Sequence, residues 1–221
     1  MSFPNTVMGK YGWEKVQTSG QKHKLGTRMT FDDGRVFRYC EVGAADIAAG
    51  AIVQAPAGIA NHDMDLAIAT AASGVTSLTV TLGGTAATKN QYKDGYLYIN
   101  DGTGQGSVYK IKSNAAGSGG GTCVITLDEE DGTVTAVTNG DTIVGLAVNP
   151  YSNVIISPTT VSNIVAGVAP RALTTDYYGW LQTWGPAAVL CNAAGVIGEP
   201  VRVGGASTAF TSVYGTLVVL Q

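Results

Sequence analysis

Tyr177-Tyr-Gly-Trp-Leu-Gln-Thr-Trp-Gly-Pro-Ala-Ala-Val-Leu190 holds four aromatic residues, two of them among the three tryptophans of the chain. Around Gly179 the pattern alternates: Trp180, Gln182 and Trp184 fall on one side, Leu181 and Thr183 on the other. A two-residue period is that of a strand. Gly185-Pro186 interrupts it and Ala187–Leu190 resumes it. Two tryptophans on one strand face fill a small β core, and the same pair left exposed would make a platform for a sugar or a partner chain. Tyr178, Trp180 and Trp184 are therefore predicted as core or subunit-interface residues. Leu217 and Val219, from the apolar C-terminal run Gly215–Leu220, join them.

Working outward, β signals recur. Asp33-Gly34 is a hairpin turn, followed by alternation of Val36, Arg38, Cys40 and Val42 against Phe37, Tyr39 and Glu41. Ala44–Ala49 reads as one helical turn and Ala51–Ala55 as a short strand. From Gly74 the texture changes. Val75–Leu82, Tyr96–Asn100, Ser107–Lys112, Thr122–Leu127 and Thr142–Val148 are strands separated by turn residues, with Ser113–Gly121 as a flexible glycine-rich linker. The predicted fold is all-β. An antiparallel sandwich or barrel-like body is formed by residues 29–60 plus 148–221, and a small β domain, residues 61–147, is inserted into it. Residues 1–28 have scattered apolar groups and no period, which predicts an extended N-terminal arm that drapes over another molecule.

Only 13% of the 221 residues are charged, while 45% are apolar and 30 are glycine. The net charge of -3 conceals an asymmetry: residues 1–40 hold seven Lys/Arg against three Asp/Glu, and the remainder six against thirteen. A basic segment ahead of an acidic body fits an acidic protein surface better than nucleic acid, which the body would repel. The arm is expected to anchor through Phe3, Lys10, Tyr11, Trp13, Lys15, Lys22 and Lys24. No apolar run is long enough for a membrane span, and the N-terminus lacks the apolar region of a secretory signal.

Reactive groups are sparse. The two histidines, His23 and His62, adjoin no nucleophile motif, so no enzyme is expected. His62, Asp63 and Asp65 match no ligand spacing and read as a polar loop; Asp128–Asp131 reads as a solvated turn, and no metal or cofactor is predicted. The Gly-rich loop Asp101–Gly106 precedes a strand rather than a helix, which makes it a hairpin turn instead of a phosphate cradle. Cys40, Cys123 and Cys191 are odd in number and widely spaced, as buried thiols are.

Phe3-Pro-Asn-Thr-Val-Met-Gly9, Asp33-Gly-Arg-Val-Phe-Arg-Tyr39, Tyr96-Leu-Tyr-Ile99, Tyr109-Lys-Ile-Lys-Ser-Asn114, Asn149-Pro-Tyr151 and Tyr178–Ala187 together resemble a family of virion proteins of tailed bacteriophages, usually capsid decoration (cement) proteins. The resemblance implies a structural role on the outer surface of the capsid. The major capsid protein would be the partner, and the protein would be assembled in the host cytoplasm. Local threefold symmetry at capsomer joints makes a homotrimer the expected self-association. The alternative is a tail or head-fibre component with a glycan-binding β domain.

Overall fold

The computed structural model describes residues 6–158 and 162–190, and beyond them the backbone of three short strands. In chain order the strands are β1 (Thr6–Met8), β2 (Arg28–Thr30), β3 (Val36–Glu41), β4 (Ile52–Gln54), β5 (Leu66–Ala67), β6 (Ser77–Thr81), β7 (Tyr96–Asp101), β8 (Val108–Asn114), β9 (Thr122–Leu127), β10 (Ile143–Ala147), β11 (Ile155–Ile156), β12 (Val165–Val168), β13 (Tyr178–Ala187), β14 (Val203–Ala206), β15 (Ala209–Phe210) and β16 (Val218–Leu220). The described residues contain one 3₁₀ turn, Trp13–Lys15, and no α-helix, so the protein is all-β. The chain forms two compact units, residues 1–57 with 150–221 and residues 58–149. Phe3, Cys191 and Leu217 lie outside the described residues, and Val219 is described by its backbone alone.

In the first unit the strand order is β1-β2-β3-β13-β12-β4-β11. A parallel bridge between Val42 and Val154 brings the chain beside β11 back to the end of β3, so the sheet curls toward a barrel. β13 is its central strand, paired with β3 on one side and β12 on the other. Both of its faces are covered. Leu181 joins Cys40, Val42, Ile47, Val53, Val154, Ala166 and Leu173 in one cluster; Trp180 joins Leu25, Met29, Phe31, Phe37 and Tyr39 in another. Gly179 faces Leu173, whose Cδ2 lies 2.6 Å from where a Cβ would stand, so a larger residue would push the two elements apart.

The alternation predicted for the Trp stretch holds only to Gln182. A register shift separates Gln182 from Trp184, and Gly185 takes φ 85°. A bulge of this kind bends the strand and re-aims the side chains that follow. Trp180 is buried, whereas Trp184 is 44% exposed, so of the two places expected for it, core or subunit interface, the core of this chain is excluded. Tyr178 is half-buried, stacks on Tyr39 and donates its hydroxyl to Glu41 Oε1 at 2.7 Å.

The second unit is a six-stranded sheet in the order β5-β10-β7-β8-β9-β6, and an Ile68–Val80 bridge joins its two ends. β10 returns beside β7 of the β7-β8-β9 meander, a Greek-key arrangement. Alternate residues point inward, as Leu97 and Ile99 on β7 and Cys123, Ile125 and Leu127 on β9 do. The loop after Asp101 joins β7 to its antiparallel neighbour β8 and is a hairpin connection.

Among the described residues one four-residue corner recurs six times, in three pairs. Ile47 and Leu173 exchange backbone hydrogen bonds of 2.8 and 2.8 Å, Ala71 and Val137 bonds of 3.0 and 2.9 Å, and Ala87 and Gly117 bonds of 2.9 and 2.9 Å. Three residues after each bridging position stands Gly50, Asp176, Gly74, Gly140, Asn90 or Gly120, with φ between 61° and 83°. These are the residue types that accept a left-handed backbone at low cost. The corner replaces the helical turn expected at Ala44–Ala49. It also fixes the glycine-rich run 113–121, expected as a flexible linker, where Gly120 N further donates to Gly83 O at 2.6 Å.

A cationic and aromatic surface on the N-terminal segment

Residues 6–28 form no detached arm; they are a strap on this chain's own sheet. β1 pairs in parallel with β2, and Thr18 exchanges backbone bonds with Tyr178 (2.9 and 2.8 Å). Lys22 N donates to the Tyr39 hydroxyl at 3.0 Å, and the His23 ring sits 5.1 Å from Tyr39 and 5.4 Å from Trp180. Arg171 Nη1 reaches Lys15 O at 2.7 Å, and Gln17 bonds Thr174 through both ends of its amide. The described part of the expected arm thus lies on its own sheet and leaves only its outer side open to another molecule. The irregularly spaced Val7 and Leu25 cover the Trp180 face of their own unit.

The outer side of the strap has a distinct chemistry. Met8 is 71% exposed, Tyr11 61%, Val16 52% and Trp13 44%. Between them and beyond, Lys10, Lys15, Lys22, Lys24 and Arg28 are exposed, while the single acid of residues 6–28, Glu14, is buried. Burial lowers the pKa of His23 from its usual range, so the ring is neutral at pH 7 and its charge adds nothing to the surface.

Tyr11 is exposed yet held. Its hydroxyl donates to the Asp32 carboxylate and its ring meets Phe31 edge-on with centroids 5.4 Å apart. The Arg35 guanidinium lies 5.7 Å from the Tyr11 ring, 5.0 Å from Phe31 and 5.6 Å from Phe37, and pairs with Asp33 at 2.7 Å. An aromatic fixed before binding loses little rotamer freedom when a partner covers it.

His62, expected in a polar loop, is fully buried between Tyr92 and Thr85. Cys40 and Cys123 are buried free thiols, and burial pushes the Cys40 thiol up to about 12. Among the described residues no three His, Cys, Asp or Glu side chains come together as a metal-ligand set, and no helix is long and apolar enough to cross a membrane. Comparison with protein-family models, curated proteins and solved structures gave no match.

Proposed function

We propose that this chain is a capsid decoration protein of a tailed bacteriophage. It binds the outer surface of the head across capsomer joints and stabilises the expanded shell, with the major capsid protein as partner and a homotrimer as the working unit. The observation that carries this reading is the strap surface, residues 6–28, which exposes Met8, Tyr11, Trp13 and Val16 together with five cations and no acid of its own, the nearby exposed Asp32 being bonded to the Tyr11 hydroxyl. Aromatic anchors set among cations suit a protein partner of acidic surface. The sequence resemblance gives that partner its place on the virion. The glycan-binding alternative needs a tryptophan platform, and burial of Trp180 beneath the strap removes half of it.

The test is saturation binding to expanded, undecorated capsids. Trp13→Ala should weaken binding by ~30-fold or more, the range of an interface hot spot. Reversing Lys10 and Lys15 to Glu should weaken it further and flatten its dependence on salt. Wild-type affinity in both variants would exclude the strap as the docking surface. Point variants are needed because deletion of residues 1–25 removes His23 and Leu25 from above Trp180 and Tyr39. That truncated protein should melt well below wild type, and an unchanged melting temperature would contradict the strap's structural role.

A further inference from the structure

Glu14 is the one charged residue of the strap that the docking surface leaves unused. It is 4% exposed, and its Oε2 accepts from Gly12 N at 2.7 Å. Its other oxygen has no hydrogen-bonding or ionic partner among the described residues. That oxygen is not sealed from solvent, so it is an open acceptor for an incoming donor. Glu14 lines a cleft of about 620 Å³ within the first unit.

A second buried acceptor lines the same cleft. Gln182, also 4% exposed, uses its Nε2 to donate to Trp184 O at 3.1 Å and Pro186 O at 2.7 Å. Its Oε1 has no hydrogen-bond partner among the described residues. The bulge after Gln182 brings Trp184 O to this amide, and the strand beyond it brings Pro186 O. Pro170, Pro186 and Leu190 give the cleft apolar walls. Of the two cations that line it, Arg35 is committed to Asp33 and to the rings of Phe31 and Phe37, and Lys15 is exposed.

We propose that this cleft is a binding site for a cationic side chain, lysine or arginine, presented by a partner polypeptide. The charged head bonds the Glu14 carboxylate and Gln182 Oε1, and the aliphatic stem lies against Pro170, Pro186 and Leu190. An apolar wall with a small number of acceptors at its base is the complement of a side chain that buries its methylenes and directs its charge to one point. The volume is within the range of sites that enclose a small ligand, so it admits one such side chain with its flanking peptide groups. The inference stands apart from the capsid reading, because it concerns the chemistry of the ligand and not the identity of the partner.

The test uses the full-length ¹⁵N-labelled protein and three blocked amino acids: the Nα-acetyl N-methylamides of lysine, arginine and norleucine. The two cationic probes should give saturable shifts of the Gly12, Glu14, Gly50 and Gln182 amides, with norleucine at least tenfold weaker. Glu14→Gln should abolish the response to the cations. Equal responses to norleucine and lysine, or no response at these amides to any probe, would overturn the proposal, as would undiminished binding in Glu14→Gln. Should that variant fail to fold, the comparison of lysine with norleucine on the wild-type protein decides alone.

Discussion

Trp180→Ala is expected to destabilise the first unit by about 3–5 kcal/mol, and Trp184→Ala by less than about 1 kcal/mol. The two residues stand four apart on one strand, and alternation alone would make them equivalent. Trp180 is 5% exposed, with the Tyr39 ring at 5.0 Å and His23 at 5.4 Å. Truncation there removes a large apolar surface and leaves a cavity beneath a strap that is tied down on both sides. Trp184 follows the bulge and is 44% exposed, so its loss costs only partial burial. All three tryptophans lie in the first unit, so tryptophan fluorescence during urea unfolding reports that unit alone. Equal losses in the two variants would contradict the bulge.

His62→Phe should have the largest polar effect in the second unit, about 2–4 kcal/mol. Thr85 O can only accept, so the Nε2 that meets it at 2.8 Å carries the proton, and Nδ1 accepts from the Tyr92 hydroxyl. Tyr92 is itself fully buried. A phenyl ring keeps the volume but removes the bond to Thr85 O and leaves the buried Tyr92 hydroxyl without its partner, and burial of that unmet polar group is where most of the cost arises. Tyr92→Phe removes only the hydroxyl and should cost less, about 1–2 kcal/mol. The double variant should fall short of the sum, since both changes break the same bond. Hydrogen exchange of the second-unit amides measures the effect, and the fluorescence midpoint of the first unit should stay in place. An unperturbed His62→Phe protein would mean that the ring is not clamped.

The contrast between these sites shows what was legible in the chain. Strands such as Tyr96–Asp101 and Thr122–Leu127 alternate cleanly because one face meets a core and the other meets water, so the all-β class could be read directly. β13 could be located but not followed to its end, because nothing in Gln182-Thr-Trp-Gly states on which residue the register slips. The paired corners are not legible because four residues with a bridging position and a Gly, Asn or Asp three later are too short and too degenerate a pattern to stand out. The setting of His62 is hidden in the sequence for a different reason. Its polar neighbours Asp63 and Asp65 are adjacent in sequence, whereas Tyr92 and Thr85, which enclose it, are 30 and 23 residues away.

The interaction surface was legible in part. The excess of positive charge before residue 40, with Tyr11 and Trp13 inside it, could be read from composition. That the same residues are bound to their own sheet could not, since a strap on a curved surface needs apolar groups at intervals set by the surface and not by a regular period. Glu14 and Gln182 are 168 positions apart, and no local pattern links them; only the fold brings them to one cleft.

The proposed role is tested most directly by locating the protein on purified virions by cryo-electron microscopy, using particles with and without it. A decoration protein predicts β-rich density on the outer face of the head at the joints between capsomers, with the Lys10–Val16 side of the strap against the shell. Density confined to the tail or to fibres, with bare heads, would contradict the capsid role and turn attention to host glycans.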